Sequence, residues 1–448
     1  MVVFACLHFL LAVGFALKTP YRTSGLIISQ GPARPIADIG SPDERQHANY
    51  IRFLLKKHKL PVLVPGAPDV GEEYESHQPP VYYAASAAVA TVTGQTDVDS
   101  QSFGNVERIF NCAIGALAIV GVFFAGLWAS KREDIAILSA AFAALLPSNC
   151  SLSGSISNDP LLILCISWSF AFSARAFNSE EYAHITRPML CAAVFAGLAC
   201  ITKSSGLVAL AGLFATAICL RKRVPVGKLF GFSFIAILIA LPVWLRNITL
   251  YGDPLAQNVF KEAFGGSAQK SAIIATIEAS GAPGSPEVQY WMNWVGYWTA
   301  RSFIGVFGYM DIWLNASGRA ISNKDPNWLY KAIIAFLVIT KIGFLFYLRN
   351  KWKEIEKPVF IGLLIAILTL LVFIGFNMTY FQAQGRYLLP ALAPTAMMLS
   401  FGWTTLFRSK MMPALVAVVL IFGGTTVYAL TQLTPEFALR QSATLSPQ

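Results

Sequence analysis

The chain has 448 residues, 55% of them hydrophobic and only 13% charged, with mean hydropathy +0.55. Soluble domains carry roughly twice that share of charge, so a bilayer is the expected solvent. The formal net charge of +10 is spread as short clusters between apolar runs, Arg221-Lys222-Arg223 and Arg349 to Lys353 among them, which is membrane loop charge and argues against a nucleic-acid partner.

The first apolar run, 2–17, has neither a basic flank nor a small-residue cleavage site after it, and reads as an uncleaved helix. Further runs at 105–128, 134–150, 160–177, 188–202, 206–220, 228–248, 328–348, 358–377, 386–406 and 412–430 predict an all-α polytopic membrane protein of about 11 transmembrane helices. Several are short against the roughly 20 residues a bilayer requires. The seven cysteines show no Cys-x-x-Cys pair and no zinc-like spacing, and read as small buried hydrophobes.

Between the first two runs, Pro80 to Thr93 is apolar but short, opens on a double proline, and is read as a juxtamembrane or re-entrant helix. With the amino terminus inside and this segment not crossing, Lys131-Arg132, the 221–228 and 349–357 clusters and Arg408 with Lys410 all fall in the cytoplasm, as the positive-inside tendency requires. The chain is then one integral membrane domain, 1–448, with two long extracytoplasmic loops, 18–104 and 249–327, that contain juxtamembrane helices. The second holds Trp291, Trp294, Trp298 and Trp313 with Tyr290, Tyr297 and Tyr309, aromatics of the kind that sit at the headgroup level. The stretch 279–284 reads as a mobile turn and 442–448 as a disordered tail. Sequons at Asn149, Asn247, Asn315 and Asn377 support no glycosylation assignment.

The first loop is the richest in chemistry. In Ser41-Pro42-Asp43-Glu44-Arg45-Gln46-His47, Ser41 is placed to cap a helix with Pro42, Asp43 and Glu44 in its first turn. Acids there ordinarily only complement the helix dipole. The same loop, however, adds Glu75-Ser76-His77-Gln78-Pro79-Pro80-Val81-Tyr82-Tyr83. Single charges follow at the outer ends of the runs: Arg108, Asp159, Lys203, Arg246 and Arg386. Lone charges at helix ends are commonly snorkelling anchors, but four cations and several carboxylates gathered on one face point to a polar site.

The ordered set Asp43-Glu44, His77 to Tyr83, Arg108, Asn158-Asp159, Tyr251-Gly252-Asp253-Pro254 and Gln384-Gly385-Arg386-Tyr387-Leu388-Leu389-Pro390 resembles the GT-C glycosyltransferase superfamily over nearly the whole chain. It is similar to the protein O-mannosyltransferase and aminoarabinose transferase branch, and especially to bacterial membrane proteins with Pro-Asp-Glu and Gln-Gly-Arg-Tyr motifs. The resemblance implies a hexosyl- or pentosyltransferase of the bacterial inner membrane with an extracytoplasmic active face. It implies a polyprenyl-phosphate sugar donor, and an envelope polysaccharide, lipid or protein acceptor. It also implies a catalytic acid at Asp43 or Glu44, a second at Asp159, and in some members a divalent cation (Mg, Mn or Ca).

The residue types fit that chemistry on their own terms. Attack of an acceptor hydroxyl on an anomeric carbon needs a base, which Asp43 can be. A lipid phosphate leaves as an anion and needs cations, for which Arg108, Lys203, Arg246 and Arg386 are the candidates. Arg386 ranks first because Gly385 leaves room for close approach. His47, Glu75, His77, Gln78, Tyr82, Gln384 and Tyr387 are candidates for substrate binding, and Asp43, Glu44 and His77, with Glu75, for metal ligation. A secondary transporter or flippase of a lipid-linked or small anionic substrate is the alternative, and an inert lipid-binding scaffold a third reading. The first run lacks a basic flank, so a start a few residues upstream is expected. The chain ends soon after its last run, so acceptor choice is expected to rest on the outer loops.

Overall fold

The computed structural model describes residues 1–179, 181–314, 328–408 and 410–442. Each of the eleven apolar runs is helical. Six helices are long and apolar enough to cross a bilayer: Gln101–Ser130, Ala183–Cys200, Val226–Tyr251, Trp328–Lys351, Lys357–Asn377 and Met411–Ser442. Glu133–Leu145 and Pro147–Ser153, bent by 63°, make a seventh if counted as one span. Their outer stripes remain bare: Phe230, Phe234, Leu238 and Leu245 on one helix and Leu370 and Leu371 on another are exposed, as lipid-facing positions are. The chain is an integral, multi-pass membrane protein.

Gln101–Ser130 lies at the centre, packed against Asp159–Ala176, Glu133–Leu145 and Val2–Lys18. Its buried face is built from Gly115, Ala118, Gly121, Ala125, Gly126 and Ala129. Where lipid removes the hydrophobic drive between helices, such small residues let backbones approach and gain dispersion contacts. At Gly115 the approach is so close that a Cβ would lie 2.4 Å from Ser153 Oγ.

The bend ahead of Pro147 frees carbonyls that a bilayer cannot solvate, and other side chains satisfy them. Asn149 Nδ2 donates to Ala143 O at 2.9 Å, His8 Nδ1 to Ala144 O at 3.1 Å, Cys150 Sγ to the same oxygen at 3.2 Å, and Thr426 Oγ1 to Leu145 O at 2.6 Å. Cys150 is thus a donor as well as a buried hydrophobe, and Cys6 and Cys219 are exposed.

Two short hairpins depart from an all-helical layout: Gly25–Ile27 pairs with Arg34–Ile36, and Val306–Phe307 with Ile312–Trp313. Strands of two or three residues leave no alternation to read in the sequence. They are clamped by the buried Asp311, which accepts from Ile28 N at 3.0 Å, Ser29 N at 2.7 Å and Arg440 Nε at 2.7 Å, while Arg440 Nη1 reaches Glu436 Oε2 at 2.7 Å. The two long connections and the helix Gly424–Ser442 are thereby locked together at one end of the bundle.

Val81–Thr93, 13 residues and hence about 20 Å long, packs on Glu44–Lys57 and Gln101–Ser130. The second connection forms short helices, Gln257–Ala263, Lys270–Ala279 and Tyr297–Ile304 among them. Two of its aromatics are not at a headgroup surface: Tyr290 and Trp313 are buried, with the Trp313 ring 4.9 Å from that of Trp298. The stretch 279–284 turns through Gly281 and Gly284 at φ 63° and 97°. Asn149, Asn247 and Asn377 of the sequons are buried and hydrogen-bonded, whereas Asn315 and residues 443–448 of the expected disordered tail lie outside the described residues.

Candidate active site

The helix of the first connection begins at Glu44, later than the sequence suggests. Ser41 provides no side-chain cap; its carbonyl accepts from Glu44 N at 3.4 Å. Asp43 is the boundary residue, at φ 64°, a left-handed conformation that Asp tolerates better than most residues and that is concentrated at functional sites. Consecutive side chains at a helix start diverge by about 100°. Asp43 turns into a cavity while Glu44 turns into the protein.

The cavity encloses about 1010 Å³ between the two long connections and the helix ends. Asp43 Oδ1 accepts from the Tyr74 hydroxyl and Asp43 Oδ2 from Arg386 Nη2. Lys203 Nζ pairs with Asp159 Oδ1 at 2.5 Å. The Tyr387 ring lies 5.3 Å from the Arg386 guanidinium and 5.9 Å from Lys203 Nζ. His47 Nδ1 is 2.8 Å from Tyr83 Oη and 3.9 Å from Glu75 Oε2, and His77 Nδ1 donates to Tyr74 O at 2.6 Å. Gln78 Oε1 accepts from Asn158 Nδ2 at 3.4 Å, and Gln384 Nε2 donates to Gln382 Oε1 at 3.0 Å.

Beside this polar floor stands an aromatic wall. Phe260 and Phe264 stack at 4.7 Å, Phe264 meets Tyr380 at 5.4 Å, and Phe376 meets Tyr387 at 5.6 Å. Trp298 and Phe381 complete the lining. A charged floor continuous with an aromatic wall suits an amphipathic ligand with an anionic head and an apolar body.

Burial presses the Asp43 carboxyl upward, but the Arg386 guanidinium and the Tyr74 hydroxyl outweigh it and hold Asp43 down to about 2. Glu75 goes the other way, raised to about 8 by burial and then by the neighbouring Asp43 charge. Burial lowers His47 to about 3 and His77 to about 4, so both rings are neutral. Two carboxyls in one cavity are thus pushed apart, a pattern typical of sites that handle protons. Because the folded state raises Glu75, its contribution to stability is fully present below about 4.5 and is lost as pH rises through about 8. Glu75→Gln is therefore expected to flatten the dependence of melting temperature on pH between those values, measured against the native chain in detergent.

The family model for dolichyl-phosphate-mannose-protein mannosyltransferases matches residues 83–251, well under half the chain. No curated protein matches by sequence. Among solved structures, the chain is similar to the oligosaccharyltransferase of Archaeoglobus fulgidus in complex with Zn and sulfate, with TM-score 0.59, 15% identity, and 96% of this chain and 53% of that one covered. The same archaeal enzyme in complex with an inhibitory peptide and a dolichol-phosphate gives TM-score 0.57 at 14% identity, with 96% and 55% covered. ArnT from Cupriavidus metallidurans bound to undecaprenyl phosphate gives 0.54 at 12%, with 98% and 76% covered. The chain has the GT-C fold. It spans about half the length of the archaeal structures it matches.

Within this GT-C fold, ten of the sequence candidates line the cavity: Asp43, His47, Glu75, His77, Gln78, Asp159, Lys203, Gln384, Arg386 and Tyr387. Four do not. Glu44 and Arg108 are fully buried and face each other, Arg108 Nε and Nη2 gripping the two Glu44 oxygens at 2.7 and 2.6 Å. Arg108 also donates to Ala16, Thr19 and Pro20 carbonyls at 2.9, 2.6 and 3.0 Å. All five of its N–H donors are thus used, and it closes the end of the first helix. Arg246 donates to Pro61 O at 2.5 Å. Tyr82 is buried and accepts from Asn111 Nδ2 at 3.0 Å. The space at Gly385 is filled by protein, since a Cβ there would lie 2.2 Å from Phe303 N.

Sequence reasoning missed Tyr74, which touches the Asp43 carboxylate, and the aromatic wall. The wall did leave a signal, the four-residue spacing of Phe260 with Phe264 and of Phe376 with Tyr380, one turn apart at the carboxyl ends of two helices.

Glu44 does not fit a divalent-cation site with Asp43 and His77: both of its oxygens are engaged by Arg108 and it does not line the cavity. The Asp43 oxygens accept from Tyr74 and Arg386, while His77, whose Nδ1 donates to a carbonyl, keeps Nε2 as its acceptor nitrogen. Among the described residues no three His, Cys, Asp or Glu side chains converge as a metal site.

Proposed function

We propose that the chain is a glycosyltransferase that takes a sugar, a hexose or pentose, from a polyprenyl-phosphate donor and passes it to a hydroxyl of an envelope polysaccharide, lipid or protein. The observation that carries this reading is the continuity of the cation-bearing floor, Arg386 and Lys203, with the aromatic wall. A phosphate on the floor and isoprene units along the wall would match both surfaces. Solved GT-C structures hold dolichol-phosphate and undecaprenyl phosphate, ligands of that same chemistry.

In the step this site would perform, the acceptor oxygen attacks the anomeric carbon and its proton passes to Asp43 Oδ2 or Oδ1. The anomeric C–O bond to phosphate breaks with inversion, and the bonding pair leaves on the polyprenyl phosphate. Arg386 and Lys203 stabilise that charge, while Asp159 positions Lys203 through their ion pair. The neutral His47 and the Glu75 carboxyl border the same space and are assigned to holding sugar hydroxyls.

We assign this cavity to the extracytoplasmic face of a bacterial plasma membrane, and the basic clusters support that choice of face. Asp43 and Arg386, which a crossing by Pro80 to Thr93 would put on opposite sides, are ion-paired, which supports one common face. Single cysteines at Asp159 and Arg386 are expected to react with an impermeant maleimide from outside intact cells. Labelling only after permeabilisation would overturn the assignment of the face. Transfer of radiolabelled sugar from a polyprenyl-phosphate donor in proteoliposomes tests the activity itself; movement of the donor across the bilayer without transfer would favour a flippase.

A further inference from the structure

We infer that Arg386 serves two anions in turn: it holds the Asp43 carboxylate until the donor's phosphate captures it, and that capture is what frees Asp43 to accept a proton. The inference rests on the donor reading above and adds a coupling between donor binding and the base.

The two arginines of the motifs make an internal comparison. Arg108 presents its Nε/Nη2 edge to both oxygens of Glu44 and uses all its donors, a closed pair with nothing left to offer. Arg386 meets Asp43 through Nη2 alone, and its buried Nε has no hydrogen-bond partner among the described residues. The Nε/Nη2 edge is the fork that grips a carboxylate or phosphate bidentately. Asp43 does not fill the fork: its other oxygen is turned to the Tyr74 hydroxyl, and Nε is left without a partner among the described residues. A buried donor left unmade costs stability, so a phosphate offering two oxygens can outcompete the single bond to Asp43.

The neighbourhood favours the exchange. Lys203 and the Tyr387 ring flank the guanidinium, and both Arg386 and Lys203 line the same cavity. Asp43 meanwhile keeps the Tyr74 bond, which holds its carboxylate in place when Arg386 lets go. While Arg386 is paired with it, Asp43 is a weak base; once the guanidinium turns to phosphate, burial and the loss of the cation both raise its proton affinity. Donor binding would thereby switch on the base, so that Asp43 is basic only when a donor is in place.

Binding of undecaprenyl phosphate, which carries no sugar, to the purified full-length chain separates the possibilities. Asp43→Asn is expected to bind this lipid on the order of tenfold more tightly than the native chain, the scale of coupling for one close charge pair. In an Arg386→Gln background the same substitution is expected to give no gain. Equal or weaker binding by Asp43→Asn overturns the inference. So does a gain that persists undiminished with Arg386→Gln, since removal of negative charge from the cavity would then explain it. Absence of binding by the native chain overturns the donor reading itself. Asp43→Ser gives the same comparison if Asp43→Asn does not fold.

Discussion

Asp43→Asn is expected to lower sugar transfer by roughly 10²- to 10⁴-fold, the range that a positioned general base contributes, with the chain still folded and its melting temperature lowered by loss of the ion pair to Arg386. Asparagine keeps the shape of the side chain, and its oxygen can still accept from Tyr74 or Arg386, so the left-handed boundary at 43 and the helix behind it survive. What is lost is the ability to take the acceptor's proton. The measurement is single-turnover transfer of radiolabelled sugar, with thermal unfolding followed in the same preparation. Transfer at the native rate would remove Asp43 from the role of base and leave the cavity's other carboxyls, Asp159 and Glu75, to be tested.

The pH dependence of that reaction has a definite sign. With Arg386 and Tyr74 holding Asp43 down to about 2, the acid limb of kcat/KM, which reports the free enzyme, is expected at low pH. The limb of kcat, which reports the substrate complex, is expected at higher pH, because the donor's phosphate competes for Arg386.

The sequence showed its helices because a bilayer demands apolar runs: all eleven runs are helical, and six or seven of the helices among the described residues are long and apolar enough to cross. It could not show which charges at their ends work. Arg108, Lys203, Arg246 and Arg386 look alike as isolated cations after or before apolar stretches, and only tertiary packing separates them. Arg108 meets the end carbonyls of Val2–Lys18 and Arg246 meets Pro61 O, so both are absorbed by backbone, whereas Lys203 and Arg386 meet carboxylates in an open cavity. The adjacent acids Asp43 and Glu44 were equally ambiguous, since which one faces the cavity depends on the left-handed turn at Asp43. Tyr74 carries no motif of its own and was hidden beside the more conspicuous Glu75 and His77.

Glu44→Ala is expected to act on the fold, where a catalytic role would act on turnover. Glu44 is fully buried, accepts Arg108 on both oxygens and Ile156 N at 2.9 Å on one of them. Its removal leaves the Arg108 guanidinium charged, dry and uncompensated, which costs about 3–5 kcal/mol for a broken buried pair. The damage spreads, because Arg108 also closes the carbonyl end of the first helix, joining Val2–Lys18 to Gln101–Ser130, and Glu44 itself holds Ile156 N in the loop before Asp159. A large loss of folded protein is expected in detergent, seen by size-exclusion chromatography and a lowered melting temperature. The fraction that does fold is expected to transfer sugar at the native rate per molecule, since Asp43, Arg386 and Lys203 do not touch the pair. A Glu44→Ala protein that melts like the native chain yet transfers no sugar would return Glu44 to the chemistry.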